Sequence, residues 1–197
     1  MRYRSHQGNN LSPIWIIIII NLLVFIGTII YPKLILIFGL QTAIFASEPW
    51  TIVTNLFTHA GIWHILANMM TLYFFGNFLN RLLGTKKLLI IYFLGGIVGN
   101  IFYIFLDILM APPSLVPAIG ASGAVFALGG TLTVLTPKLR VYIFPIPAPI
   151  PLWIAIIGGF FILALMPNVA WEAHLGGLVF GLIAGYFYRK KINFLSY

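Results

Sequence analysis

The sequence lacks cysteine and has few charged residues. Its 197 residues include only 11 Lys and Arg and 3 Asp and Glu, so that 7% are charged, against about 25% in an average soluble domain. The absence of cysteine excludes disulfides, thiolate metal sites and cysteine nucleophiles. The scarcity of charge leaves too few basic residues for a nucleic-acid-binding face, in spite of a formal net charge of +8. We therefore expect no nucleic-acid partner.

Apolar residues take up most of the chain. The hydrophobic fraction is 61% and the mean hydropathy is +1.04, which is enough for about six helices of roughly 20 residues. Apolar runs bounded by Pro, Gly and charged residues predict membrane spans near residues 14–30, 62–80, 86–106, 119–136, 150–166 and 172–188. The predicted fold is an all-α bundle of six transmembrane helices, with residues 1–197 forming a single transmembrane domain.

The positive charges divide unequally between the two sides of such a bundle. Lys33 alone lies on one side, together with all three acidic residues, Glu48, Asp107 and Glu172. The other side holds the remaining ten basic residues: Arg2, Arg4, Arg81, Lys86, Lys87, Lys138, Arg140, Arg189, Lys190 and Lys191. Because cytoplasmic loops are enriched in Lys and Arg, this division predicts a multi-pass protein of the cell (plasma or inner) membrane with both termini in the cytoplasm.

Two connections differ from ordinary polar loops. The external segment 31–61 is nearly as apolar as the spans, and we expect it to form short interfacial or re-entrant helices against the bundle. The cytoplasmic stretch 144–151 alternates proline with other residues, which favours an extended, polyproline-like spacer without a chemical role.

Polar side chains inside apolar spans are costly, and they are therefore candidates for function. Three clusters occur, at His64 with Asn68, at Ser122, and at His174. Each lies in the first turns of a span that runs from outside to inside, which places all three roughly 3 to 9 Å below the outer surface. Small residues follow both Ser122 and His174 at helical spacing, and they predict close packing of the fourth and sixth spans. The small residues are Gly123, Ala127 and Gly130 in the fourth span and Gly177, Gly181 and Gly185 in the sixth.

This arrangement suits serine-based catalysis. A neutral imidazole at His174 can accept the proton of the Ser122 hydroxyl and return it to a leaving amine. The backbone N–H groups at the start of the fourth span, together with His64 and Asn68, are candidate donors to an oxyanion. Glu172 is only two residues from His174 and should point elsewhere, so we expect a Ser-His dyad.

Taken together, three motifs resemble the rhomboid family of intramembrane serine proteases. They are Gly120-Ala121-Ser122-Gly123, His64-Ile65-Leu66-Ala67-Asn68 and Ala173-His174-Leu175-Gly176-Gly177, in this order and in these spans. The stretch Phe57-Thr58-His59-Ala60 is also similar to the family, and the resemblance covers residues 14–188, a minimal six-span core of prokaryotic type.

The resemblance implies specific roles for these residues. Ser122 would be the nucleophile and His174 the general base, while His64, Asn68 and the Ser122 backbone would stabilise the oxyanion. The implied substrates are single-pass membrane proteins, cut in or near the transmembrane segment after a small residue, in contact with membrane lipid. Many members carry Trp-Arg in the first external loop, whereas here Trp50 is followed by Thr51.

Other classes of protein fit the sequence less well. A zinc protease would need a His-Glu-x-x-His motif, which the sequence lacks. An aspartyl protease would need two Asp in the spans, but the chain has a single Asp, Asp107. No metal or other cofactor is expected. A transporter or channel would normally show repeats or polar residues at mid-membrane. The main alternative is a catalytically inactive rhomboid-like protein that binds transmembrane helices, although the chain retains both Ser122 and His174.

Overall fold

The computed structural model describes residues 12–143 and 146–195, with the side chains described as far as Lys190. This part of the chain contains six helices of 13 residues or more and two short ones. The long helices are α1 (Pro13–Ile30), α4 (Ile62–Leu83), α5 (Thr85–Met110), α6 (Ser122–Leu135), α7 (Leu152–Ala164) and α8 (Trp171–Leu195). The short helices α2 (Leu34–Phe38) and α3 (Thr51–Thr54) lie between α1 and α4, and a 3-10 turn (Asn55–Phe57) follows α3. The protein is a helical bundle, as predicted.

Helix α6 lies at the centre of the bundle. All of its residues from Gly123 to Leu132 are buried, and it packs most extensively against α8 and α5, with further contacts to α4 and α7. Its Leu128 and Leu132 share one core with large apolar side chains of α4 and α5, among them Leu72, Leu79 and Tyr92. The start of α6 is therefore held on several sides by other helices.

The outer face of the bundle is apolar. Leu23 on α1, Phe105 on α5 and Ile162 on α7 are each more than 60% exposed. Helices α1 and α5 are long and apolar enough to cross a membrane, whereas α6 and α7 are apolar but shorter. An apolar surface of this extent is unfavourable in water and suits contact with lipid.

The segment between α1 and α4 contains the expected short helices and packs on the helices of the bundle. Leu40 and Ala118 exchange backbone hydrogen bonds in an isolated β-bridge. The Thr42 hydroxyl donates to the Asp107 carboxylate near the end of α5, and the Ser114 N–H donates to the Thr42 oxygen at 2.6 Å. Thr51, the residue that follows Trp50, is buried and donates its hydroxyl hydrogen to the Glu48 carbonyl at 2.6 Å. That this segment is associated with a membrane stays a prediction.

Two predicted boundaries differ from the structure for local reasons. The predicted span 119–136 begins as a helix only at Ser122, because Gly120 has a φ of +123°, which is outside the helical region. The predicted span 150–166 begins at Leu152, because Ile150 and Pro151 belong to a strand. Helix α8 runs to Leu195, beyond the predicted end at 188.

The prediction of an extended spacer at 144–151 is incomplete. The strands β1 (Arg140–Val141) and β2 (Ile150–Pro151) pair antiparallel, and the Arg140 guanidinium donates two hydrogen bonds to the Pro149 carbonyl. Residues 144 and 145, like the basic residues Arg2 and Arg4, lie outside the described part. The ends of this connection are thus paired with each other.

Candidate active site

Ser122 and His174 are in hydrogen-bonding contact. The Nε2 atom of His174 lies 2.7 Å from the Oγ atom of Ser122, although 52 residues separate them in the chain. Ser122 is the first residue of α6 and His174 lies in the first turn of α8. His174 is 5% exposed, so bulk water competes little for its imidazole.

Glycines bring α6 and α8 close enough for this contact. An ideal Cβ on Gly177 would lie 2.0 Å from the Gly123 carbonyl oxygen, and one on Gly181 would lie 2.2 Å from the Ala127 carbonyl oxygen. Any larger side chain at either position would collide with the backbone of α6. The close packing predicted from the small residues is therefore present, and it lies next to the Ser122–His174 contact.

A phenylalanine orients the His174 ring. The Phe126 and His174 rings have centroids 4.9 Å apart and planes tilted by 30°. Among the described residues, no acceptor is bonded to the buried Nδ1 atom of His174. Packing against Phe126, together with the contact to Ser122, therefore holds the imidazole, and no carboxylate is bonded to it in this part of the chain.

His64 lies against the turn that precedes Ser122. Gly120 has a positive φ, and an ideal Cβ on it would lie 2.7 Å from His64 Nε2 and 3.6 Å from Ser122 Oγ. Only glycine therefore fits at position 120, both by conformation and by space. The Nδ1 atom of His64 accepts a long hydrogen bond, 3.5 Å, from the Ala60 N–H. The Nε2 edge of the ring consequently faces the Gly120 backbone near the Ser122 hydroxyl.

Asn68 lies one turn below His64 on α4. It is 5% exposed, and its Nδ2 atom donates to the His64 carbonyl at 2.9 Å. This bond uses one of the two amide hydrogens and leaves the other for a further acceptor. Within the described residues, neither His64 nor Asn68 is hydrogen-bonded to Ser122 or His174.

His59 contacts the same turn, although the sequence indicated no function for it. Its Nε2 atom accepts a hydrogen bond of 3.4 Å from the Ala121 N–H, and its ring meets that of His64 edge to face, with centroids 4.9 Å apart. Burial, followed by the proximity of His64, lowers the pKa of His59 to about 3. His59 is therefore neutral at physiological pH.

Two asparagines connect the segment before His59 to α5. The side chains of Asn55 and Asn100 exchange hydrogen bonds of 3.1 and 2.8 Å, and Asn100 also donates to the Ile52 carbonyl at 2.7 Å. Asn100 is an amide within an apolar helix, so the criterion that identified His64 and Asn68 could have found it. Phe126 gave no such signal, because phenylalanine is common throughout the chain.

Within residues 12–143 and 146–195, no group of three His, Asp or Glu residues is placed to hold a metal ion. The site does contain a hydroxyl, an adjacent imidazole and the N-terminus of a helix. These are the groups that nucleophilic attack by Ser122 would require.

Comparison with known proteins decides the family. Residues 46–191 match the Rhomboid domain family. This chain belongs to the rhomboid family. Being a rhomboid protein, it is a membrane protein, as the apolar exterior of the bundle also indicates.

The rhomboid relatives come from several organisms. The chain is 36% identical to RHOMBOID-like protein 12, mitochondrial, of Arabidopsis thaliana, over 71% of this chain and 46% of the relative. It is 28% identical to Rhomboid protein 1, mitochondrial, of Saccharomyces cerevisiae, over 73% of this chain and 43% of the relative. The identity to Rhomboid protease GluP of Bacillus subtilis is 32%, over 70% of this chain and 25% of the relative. The aligned region thus spans less than half the length of each of these relatives.

Proposed function

We propose that this rhomboid protein is an intramembrane serine endopeptidase that hydrolyses peptide bonds in or near the transmembrane segments of other proteins. The observation that carries the proposal is the 2.7 Å contact between Ser122 Oγ and His174 Nε2. The name of the Bacillus relative, a rhomboid protease, supports the same class of reaction.

The proposed reaction proceeds by acyl transfer. Ser122 Oγ attacks the scissile carbonyl carbon while its proton moves to His174 Nε2, and the carbonyl oxygen becomes an oxyanion. His174 then gives this proton to the leaving amine, the C–N bond breaks and an acyl-enzyme remains. His174 then removes a proton from a water molecule, which attacks the ester carbonyl carbon. The C–Oγ bond breaks, His174 returns the proton to Ser122 Oγ, and the new carboxyl end is released.

The oxyanion would be stabilised by donors on α4 and α6. The first N–H groups of an α-helix have no partner within the helix, so the Ser122 N–H at the start of α6 is available. His64 Nε2 faces the same turn, and Asn68 retains one amide hydrogen. These groups would supply the preorganised field that an oxyanion site requires.

The length of α6 supports a site within the membrane. Its 14 residues span about 21 Å, whereas the hydrocarbon core is about 30 Å thick. Helix α6 is therefore about 9 Å shorter than the core. If its C-terminal end lies at the inner surface, Ser122 at its N-terminal end would lie several ångströms below the outer surface. We further propose that the six long helices are the six spans and that residues 1–197 form one transmembrane domain.

The proposed orientation follows from the charges. From the ten basic residues on one side we propose that both termini lie in the cytoplasm and that the protein resides in the cell (plasma or inner) membrane. The proposed partners are transmembrane protein substrates and the surrounding lipid, and the proposed reaction requires no metal or cofactor.

A serine-directed probe tests this function. The protein, reconstituted in lipid, is exposed to a fluorophosphonate and separately to a transmembrane substrate. Wild type and the control Ser47→Ala, which removes an exposed hydroxyl of the external segment, should label and cleave. Ser122→Ala should do neither, and His174→Ala should lose cleavage while staying folded. Wild type that binds substrate helices without labelling would identify the inactive binder instead, and normal cleavage by either site variant would refute the dyad.

A further inference from the structure

The two N–H groups immediately before Ser122 are already engaged by the external segment. The Gly120 N–H donates to the Asn55 carbonyl at 2.9 Å, and the Ala121 N–H donates to His59 Nε2 at 3.4 Å. Residues 55–59, here called the clamp segment, therefore contact the Ser122 turn at consecutive peptide groups. Neither Asn55 nor His59 takes part in the proposed acyl transfer.

The clamp segment is itself firmly held. Asn55 and His59 are 2% and 1% exposed, and Asn55 is joined to Asn100 of α5 by the reciprocal amide bonds. Because buried amides without partners are costly, this pair holds the Asn55 backbone in place. The backbone carbonyl of Asn55 is thus a fixed acceptor for the Gly120 N–H.

His59 can accept from Ala121 only in one protonation state. Its Nε2 must carry a lone pair, so the ring proton resides on Nδ1. Since burial keeps the pKa of His59 at about 3, the acceptor persists at neutral pH. A protonated ring would repel the Ala121 N–H rather than bind it.

We propose that the clamp segment selects the backbone donor of the oxyanion site, with His59 as a positioning residue. It occupies the N–H groups of Gly120 and Ala121, whereas the Ser122 N–H has no acceptor among the described residues. This inference rests on the proposed protease function. His59 acts through the Ala121 peptide and does not itself contact substrate.

The physical consequence is preorganisation. With both preceding peptides bonded, the Gly120-Ala121-Ser122 turn cannot rotate, and the Ser122 N–H keeps one direction before substrate arrives. If the Ala121 peptide were released, part of the energy of oxyanion binding would be spent on ordering the turn. This loss should lower kcat more than it raises KM, because the oxyanion exists only on the reaction path.

Amide hydrogen exchange in the wild-type protein tests the arrangement without reference to activity. Residue-resolved NMR in lipid nanodiscs should show slow exchange of the Gly120 and Ala121 amides and faster exchange of the Ser122 amide. Exchange of Ala121 as fast as that of Ser122 would overturn the proposal. This measurement also stands if a variant fails to fold.

Two substitutions separate the acceptor of His59 from its ring. His59→Phe keeps an aromatic ring beside His64 but has no acceptor, and it should lower kcat about 5- to 10-fold and speed exchange at Ala121. His59→Gln loses the ring but places Oε1 as many bonds from Cβ as Nε2 is, and it should restore most of kcat. The matched control Thr133→Val removes a comparable threonine hydrogen bond, to the Gly129 carbonyl at 2.9 Å inside α6, and should leave kcat within about twofold.

The outcomes distinguish this inference from the proposed function. Wild type that neither cleaves substrate nor labels would refute the protease, whereas the exchange pattern would still test the clamp. Active wild type, with equal kcat in His59→Phe and His59→Gln at equal folded fraction, would refute the positioning role of His59. Loss of activity in both variants, with unchanged exchange at Ala121, would also refute it and indicate a purely structural ring.

Discussion

Replacing Gly177 by alanine should separate Ser122 from His174 without altering either residue. The new Cβ would lie 2.0 Å from the Gly123 carbonyl oxygen and 2.8 Å from the Gly123 carbonyl carbon. Real Cβ contacts are essentially never shorter than 3.0 Å. The opposing atoms belong to the backbone of α6, which cannot rotate away as a side chain can, so α8 must move outward by about 1 Å or more.

This movement acts directly on the proposed dyad. Gly123 adjoins Ser122 and Gly177 is one helical turn from His174, so the Ser122–His174 contact lies beside the collision. Lengthening the 2.7 Å contact by about 1 Å takes it beyond hydrogen-bonding distance. A misplacement of about 1 Å can cost about 10²-fold in rate. Overpacking should destabilise the fold by about 1–3 kcal/mol, partly offset by the better helix propensity of alanine, about 1 kcal/mol.

The assay compares substrate cleavage and serine-probe labelling per folded molecule, with thermal unfolding measured in parallel. We expect Gly177→Ala to reduce both rates by about 10²-fold. The matched control is Gly159→Ala in α7, where an added Cβ meets no atom within 4 Å. It should keep activity within about threefold and unfold at an equal or higher temperature. Wild-type rates in Gly177→Ala would refute the argument that this glycine sets the Ser122–His174 distance.

Three further predictions address single groups. Asn68→Ala should lower kcat by up to about 10²- to 10³-fold if its free amide hydrogen serves the oxyanion, and an unchanged kcat would leave Asn68 a packing residue. Because folding lowers the pKa of His59 from 6.5 to about 3, its contribution to stability is complete above about pH 6.5 and declines towards pH 3, by up to about 1.4 kcal/mol per pH unit. A pH series of thermal unfolding should therefore be flatter for His59→Gln, and equal slopes would contradict the lowered pKa. Asn100→Ala should destabilise the fold by about 1–3 kcal/mol, because it leaves the buried side-chain amide of Asn55 without its partner. The control Asn77→Ala removes an exposed hydrogen bond within α4 and should cost less than about 0.5 kcal/mol. Equal unfolding temperatures for these two variants would argue against the buried pair.

The helices could be predicted because their signals are local. The apolar run and Pro13 at the start of α1, and Gly84 at the end of α4, act within a few residues, and the observed ends lie close to those predicted. The start of α6 was harder to predict from the sequence, because the positive φ of Gly120 depends on the packing of His64 against it. Local apolar pattern does not report such a contact.

The unpredicted parts of the site involve partners far apart in the chain. Asn55 and Asn100 are 45 positions apart, and His59 and Ala121 are 62 apart. The polarity of Asn100 within an apolar span indicates that it needs a partner, but not which one. The choice depends on how the external segment folds over α5 and α6, which is settled by packing of the whole bundle.

The sequence by itself determined the class of fold and indicated the chemistry that we propose. An apolar composition favours a membrane bundle, the missing cysteines exclude thiol chemistry, and the family motifs around Ser122 and His174 indicate a serine mechanism. These properties follow from residue identities and short-range spacing. Tertiary structure alone decided the 2.7 Å approach of Ser122 to His174 and the engagement of the Gly120 and Ala121 amides by the external segment. Each of these hydrogen bonds would be lost if the two groups lay about 1 Å farther apart. Only the packing of the whole bundle sets distances to that precision.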